Sequence, residues 1–94
     1  MDFDAFVHSV KDKQLPAGLS VCLNSLWYDA AGDWATAHSL VDSLTDSKAC
    51  LVHAYLHRKE GDTWNADYWY RRANSKRPAT SLEEEWRTIV QALL

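Results

Sequence analysis

The sequence predicts an all-α protein: a compact stack of about six antiparallel helices in one domain spanning residues 1–94. Three observations support this prediction. Apolar residues recur three and four positions apart along every segment, and no segment alternates like a strand. Only three Gly and two Pro interrupt the chain. Gly-Asp, followed by Ala four residues after the Asp, occurs twice at a spacing of 29 residues, which is typical of a helical repeat.

The two Gly-Asp pairs, Gly32-Asp33 and Gly61-Asp62, predict tight turns between antiparallel helices. Gly just past a helix end adopts the left-handed conformation without the penalty of a Cβ. Asp at the next helix start accepts hydrogen bonds from unpaired N–H groups, and its charge suits the positive end of the helix dipole. We expect the Ala that follows each pair to lie on an inner face, where it allows two helices to approach closely.

The first half of the chain predicts three helices. An N-terminal helix within residues 1–15 ends before Pro16, because a residue that precedes proline disfavours helix. A second helix from about 19 to 31 and a third from 33 to about 44 form a first hairpin within residues 19–45. The residues predicted to face inward are Phe3, Phe6, Val7, Val10, Leu19, Cys22, Leu23, Leu26, Trp27, Ala30, Trp34, Ala37, Val41 and Leu44.

The second half predicts three more helices. The fourth, residues 48–60, is apolar around much of its circumference and should lie at the centre of the core. A fifth helix, running to about residue 75, completes a second hairpin within residues 47–78. A C-terminal capping helix at 81–94 begins with Ser81 and Glu84 in capping-box spacing. The inward residues predicted on the last two helices are Ala66, Trp69, Tyr70, Ala73, Leu82, Trp86, Ile89, Val90 and Leu93.

The two hairpins resemble tetratricopeptide repeats over residues 19–78. The second hairpin has the family's small, aromatic and turn residues at Ala54, Gly61, Ala66, Tyr70, Ala73 and Pro78. The run from 66 to 73 is also similar to the related Sel-one-like repeats. The first hairpin matches less fully: it keeps Tyr28, Gly32, Trp34 and Ala37 but has Val41 and Leu44 where an aromatic and Ala are expected. The resemblance implies a non-enzymatic protein-interaction or scaffold module.

Charge, apolar runs and cysteines limit the classes of protein to which this chain can belong. The net charge is −3, although residues 48–77 form a basic segment between two acidic ones. No apolar run approaches the roughly 20 residues that span a bilayer, and the N-terminus lacks the basic start and apolar core of a signal peptide. We therefore expect a cytoplasmic protein without membrane contact. Cys22 and Cys50 lie in apolar helical runs, which predicts two reduced, buried thiols.

Two surfaces are candidates for binding a partner protein or a second copy of the chain. On the fifth helix, Trp64, Tyr68 and Arg71 fall opposite the inward face, unless Trp64 folds back on a neighbouring helix. The second surface is the groove that the first helices of such repeats form, and an amphipathic helix or a second copy would fit it. Its candidate residues are Leu26, Asp29, Leu51, Tyr55, Arg58 and Lys59. The negative net charge disfavours nucleic acid as a partner.

The alternative function is small-ligand or metal binding around His53 and His57. Their i, i+4 spacing puts two imidazoles on one helix face, where they can share a divalent metal ion. A third ligand has to come from elsewhere in the chain, and the candidates are His38, Asp29, Asp33 and Asp62. Because no zinc-protease motif, catalytic triad or phosphate-binding loop is present, we expect no enzymatic activity and no cofactor. The simpler interpretation is that both histidines are packing residues.

Overall fold

The structure, a computed structural model that describes all 94 residues, confirms the all-α prediction. It has six helices and no strand. The helices are α1 (Phe3–Lys11), α2 (Val21–Ala30), α3 (Trp34–Val41), α4 (Ser47–Glu60), α5 (Thr63–Arg72) and α6 (Leu82–Leu93). None of them is long and apolar enough to cross a membrane.

Both Gly-Asp turns have the same backbone geometry, as the repeated pair predicts. Gly32 and Gly61 adopt the left-handed conformation, with φ of +90° and +89°. In each turn the Asp N–H donates to the carbonyl five residues earlier and the Gly N–H to the carbonyl three residues earlier, which is the Schellman arrangement. The carboxylates of Asp33 and Asp62 then accept the N–H three residues ahead, at 3.1 and 3.2 Å. One local sequence thus builds two equivalent hairpin turns.

Helix α4 lies at the centre of the protein, also as predicted. It packs against α2, α3, α5 and α6. Most of its circumference is buried, and Val52 and Leu56 are completely inaccessible to solvent within the main core. A small second core forms where α4 meets α5, from Ala54, Ala66 and Tyr70. Cys22 and Cys50 are unbridged and buried.

The C-terminal helix covers the surface that α2 and α4 share. Helix α6 contacts both of them, and the indole N–H of Trp86 donates to the Leu26 carbonyl at 3.0 Å. On its other side the Trp86 ring meets Phe3 of α1 edge-on at a centroid distance of 5.9 Å. The chain's own α6 therefore lies against residues that the sequence assigned to a partner-binding groove.

Candidate functional site

Arg58, one of the predicted groove residues, makes its polar contacts within the chain. Its guanidinium donates to Glu85 Oε1 at 2.7 Å and to the carbonyl of Thr80. The Tyr70 hydroxyl donates to the other oxygen of Glu85 at 2.5 Å. Glu85 is only 5% exposed, so its charge needs partners inside the protein. The guanidinium of Arg58 and the hydroxyl of Tyr70 provide them, one on each carboxylate oxygen. We call Arg58, Glu85 and Tyr70 the α6 anchor.

A second ion pair lies along the same face, between α2 and α4. Lys59 Nζ is 3.0 Å from Asp29 Oδ1, whereas the other oxygen of Asp29 is buried without a hydrogen-bond partner. Burial, together with the negative charge of Asp29, raises the pKa of Tyr55 far above its usual range, so Tyr55 stays protonated. These three residues line an open pocket of about 340 Å³ with Leu82 and Trp86 of α6. Leu51, another of the predicted groove residues, is half-buried.

The predicted outward residues of α5 are exposed in the structure. Trp64 is 76% exposed and stacks on Tyr68 with a centroid distance of 6.5 Å and nearly parallel rings. Arg72 donates to the Tyr68 hydroxyl at 3.1 Å and lies 5.2 Å from the ring centre of Trp69. Arg71 is exposed and has no carboxylate partner. We call Trp64, Tyr68, Arg71 and Arg72 the aromatic-cationic surface.

Arg72 was missing from the sequence-based set. The signal that would have found it is its position four residues after Tyr68, a spacing at which side chains meet on a helix. Its guanidinium also covers Trp69, which lies between the inward and outward faces.

Three histidines come together on a different face of α4 from the α6 anchor. His38 of α3 joins His53 and His57 of α4, and each offers a ring nitrogen within 4.8 Å of the others. The Nε2 atoms of His38 and His53 are 3.1 Å apart. The ring centroids are separated by 4.8 Å for His38 and His53, 4.8 Å for His53 and His57, and 5.2 Å for His38 and His57. We call these residues the histidine cluster.

Two tryptophans hold the faces of these imidazoles. Trp34 stacks on His38 at a centroid distance of 4.9 Å, and Trp69 stacks on His53 at 4.0 Å. The indole N–H of Trp34 donates to the Leu56 carbonyl at 2.9 Å, which ties α3 to α4 at this point. Stacking against a tryptophan restricts the rotation of these two rings, so their edges, which carry the nitrogens, remain for further contacts.

Hydrogen bonding indicates the tautomer of His57, and burial keeps His53 neutral. Nδ1 of His57 is 2.5 Å from Glu60 Oε1, and a carboxylate only accepts, so the proton lies on Nδ1 when the ring is neutral and Nε2 keeps its lone pair. Burial, and then repulsion by His57 and His38, lower the pKa of His53 to about 4. His53 is therefore neutral at pH 7. Its Nδ1 is buried and has no hydrogen-bond partner.

Sequence spacing thus identified His53 and His57 as members of this cluster. For the third member it gave four candidates. Of the four candidates, the structure brings His38 to the pair. Asp33 and Asp62 act as helix caps, and Asp29 pairs with Lys59. The choice depends on how α3 crosses α4, which spacing within one helix does not specify.

Comparison with known proteins identifies no relative of this chain. A scan against protein-family models, a search of curated proteins and a search of solved structures each found no match. The resemblance to tetratricopeptide repeats accordingly stays a prediction.

Proposed function

We propose that this protein is a non-enzymatic interaction module that binds an acidic segment of a partner protein through the aromatic-cationic surface of α5. The exposure of Trp64 is the observation that carries the proposal. Tryptophan and arginine are enriched among the residues that dominate binding energy, because they combine large contact area with a polar handle. Trp64 stacks on Tyr68, and Arg71 and Arg72 lie beside them. An extended or helical partner segment could place an apolar side chain on the rings and carboxylates beside the arginines.

The local charge favours an acidic partner. Arg71, Arg72 and Lys76 lie at the end of α5 or just beyond it, and none has a carboxylate within ion-pair distance. Arg77 is the exception, since its Nε is 2.9 Å from Asp67. Uncompensated cations on a protein of net charge −3 produce a local field that steers an anionic segment toward this end of the molecule.

The surface is also preorganised. The stacking of Trp64 on Tyr68 and the bond from Arg72 to Tyr68 hold the ring and guanidinium in place before a partner arrives. Binding then orders fewer side chains, which lowers its entropic cost. The tetratricopeptide-like arrangement of hairpins is part of this proposal, and so is a cytoplasmic location, which two reduced cysteines suit.

The test is a comparison of two double variants. Proteins retained by the wild type from a lysate are identified, produced in pure form and titrated against each variant. We expect Trp64→Ala/Arg71→Glu to weaken binding of the true partner at least tenfold. Leu15→Ala/Lys11→Glu is the matched control, since it also removes one exposed apolar and one exposed basic side chain, and it should bind like the wild type.

Three results would contradict the proposal. One is equal binding by both double variants with circular dichroism unchanged. Another is a wild-type dimer in sedimentation that Trp64→Ala dissociates, which would make a second copy the partner. The third is a gel shift of RNA or DNA that weakens steeply with salt and is lost in the α5 variant, which would assign the surface to nucleic acid.

A further inference from the structure

We infer that His38, His53 and His57 form a binding site for a divalent first-row transition metal ion such as Zn²⁺, held by three imidazole nitrogens. This inference is independent of the partner binding proposed for α5. The site joins α3 to α4.

The distances fit tetrahedral coordination. With Zn–N bonds of about 2.05 Å, tetrahedral ligand nitrogens lie about 3.3 Å apart, and the centroids of their imidazole rings lie about 5 Å apart. The Nε2 atoms of His38 and His53 are separated by 3.1 Å. The three centroid distances run from 4.8 to 5.2 Å. The ring spacing thus matches three imidazoles around one ion, and the three ring nitrogens lie within 4.8 Å of one another, so side-chain rotation has to close the remaining gap. A fourth corner remains for water or another ligand.

Carboxylates lie near the Nδ1 atoms of two of the three rings, at hydrogen-bond distance for His57 and farther away for His38. Glu60 accepts from Nδ1 of His57 at 2.5 Å, and Asp42 lies 4.0 Å from Nδ1 of His38. Metal-bound histidines in proteins typically donate their other N–H to such a carboxylate, which fixes the ring orientation and makes the ligating nitrogen more basic. Both carboxylates follow their histidine by three or four residues on the same helix or at its end, so local geometry supplies this support.

The metal-free cluster holds one proton between two of the proposed ligand nitrogens, the Nε2 atoms of His38 and His53. This proton has to leave before both nitrogens can bind one ion. It moves through solvent to Nδ1 of its own ring, and in His38 that nitrogen lies on the side of Asp42. Both Nε2 lone pairs then face the ion, and the number of protons on the neutral rings does not change.

The chemistry of the ligands selects the class of ion. Neutral imidazoles suit Zn²⁺, Cu²⁺, Ni²⁺ and Co²⁺, whereas Mg²⁺ and Ca²⁺ require oxygen ligands. His38 is 26% exposed, so the cluster has an edge open to solvent through which an ion can enter. A second group of possible ligands, His57 with Glu60 and Asp62, is less suitable because Asp62 already accepts two hydrogen bonds as the cap of α5.

The experiment titrates metal into tag-free protein stripped with chelator. Zn²⁺ is followed by calorimetry, and Co²⁺ by its visible absorption, which is intense for tetrahedral sites. We expect one ion per chain, a higher melting temperature with Zn²⁺, and no such change with Mg²⁺. His38→Gln should weaken Zn²⁺ binding at least tenfold. The matched control is His8→Gln, which removes the fourth histidine, an exposed residue of α1, and should leave the affinity unchanged.

His38→Gln is the decisive variant because His38 is partly exposed and its loss should leave the fold intact. Equal Zn²⁺ affinity in His38→Gln and wild type would overturn the inference, as would an equal loss in His8→Gln. Loss of binding in Asp62→Asn but not in His38→Gln would place the ion at the other group and would likewise overturn it. Absence of a one-to-one complex with either Zn²⁺ or Co²⁺ would do the same.

Discussion

Two buried polar groups of residues around α4, the α6 anchor and the histidine cluster, differ in how fully the chain itself satisfies them. On the side covered by α6, the Glu85 carboxylate receives a guanidinium on one oxygen and a hydroxyl on the other. On the side covered by α3 and α5, three imidazoles contact one another, and one buried nitrogen of His53 has no partner. The α6 anchor is satisfied within the chain, whereas the histidine cluster offers three ring nitrogens that can bind a further ligand.

This difference separates a structural polar network from a candidate ligand site. Charge and hydrogen-bond capacity balance in the α6 anchor, so removing one member should cost stability and little else. Three imidazoles contribute lone pairs without an internal cation, so the histidine cluster should respond to protons and metal ions. The four predictions below test this contrast.

Glu85→Ala should have the largest effect on stability. It leaves the Arg58 guanidinium without its carboxylate and the Tyr70 hydroxyl without its acceptor, which typically costs about 3 to 5 kcal/mol for a buried pair. Urea unfolding would measure the loss. Glu83→Ala, an exposed position on the same helix, should change stability by less than about 0.5 kcal/mol. Similar losses in the two variants would show that Glu85 does not anchor α6.

Acid should destabilise the metal-free protein through His53. Its folded pKa of about 4 lies below the usual value of 6.5, so between these values the unfolded chain binds the proton more readily. Stability should therefore fall as the pH falls from about 6.5 to 4, by up to about 3 kcal/mol. The charged or titratable groups facing His53 are His38, His57 and Asp42.

Urea unfolding across this pH range, compared between wild type and His53→Gln, isolates the contribution of His53 from that of the carboxylates. His53→Gln should show a shallower loss, and His8→Gln should follow the wild type. An NMR titration of the His53 ring in the wild type provides a second measurement. A midpoint near 6.5 would contradict the expectation.

Two tryptophans allow the sides of α4 to be compared with one chemical change. Trp86→Phe removes the donor to the Leu26 carbonyl on the α6 side, and Trp34→Phe removes the donor to the Leu56 carbonyl on the other side. Each should cost about 0.5 to 1.5 kcal/mol, because the carbonyl loses one of its two donors and keeps the intrahelical one. Only Trp34→Phe should also weaken Zn²⁺ binding, since Trp34 stacks on His38. Equal Zn²⁺ affinities for the two variants would contradict this assignment.

Trp64→Ala should have the smallest effect on folding, within about 0.5 kcal/mol of the wild type. The side chain is 76% exposed and stacks on Tyr68, so little buried area is lost. Thermal unfolding would measure this directly. A loss above about 1 kcal/mol would show that Trp64 stabilises the fold and is a poor candidate for partner binding.

Sequence alone determined the local features of this protein, because local features depend on residues close together in the chain. Apolar spacing gave six helices, with ends within a few residues of those observed. Gly32 and Gly61 gave the hairpin turns, since a left-handed residue after a helix favours Gly whatever surrounds it. The outward direction of Trp64 and Tyr68 followed from helical geometry in the same way.

Tertiary structure decided which helices meet. That α6 lies against α2 and α4, and that Arg58 pairs with Glu85, depend on contacts 27 or more residues apart in sequence. The same holds for His38, which joins His53 across 15 residues. Spacing within α4 predicts the pair of histidines, but the crossing of α3 over α4 supplies the third, because side-chain packing between helices sets that crossing.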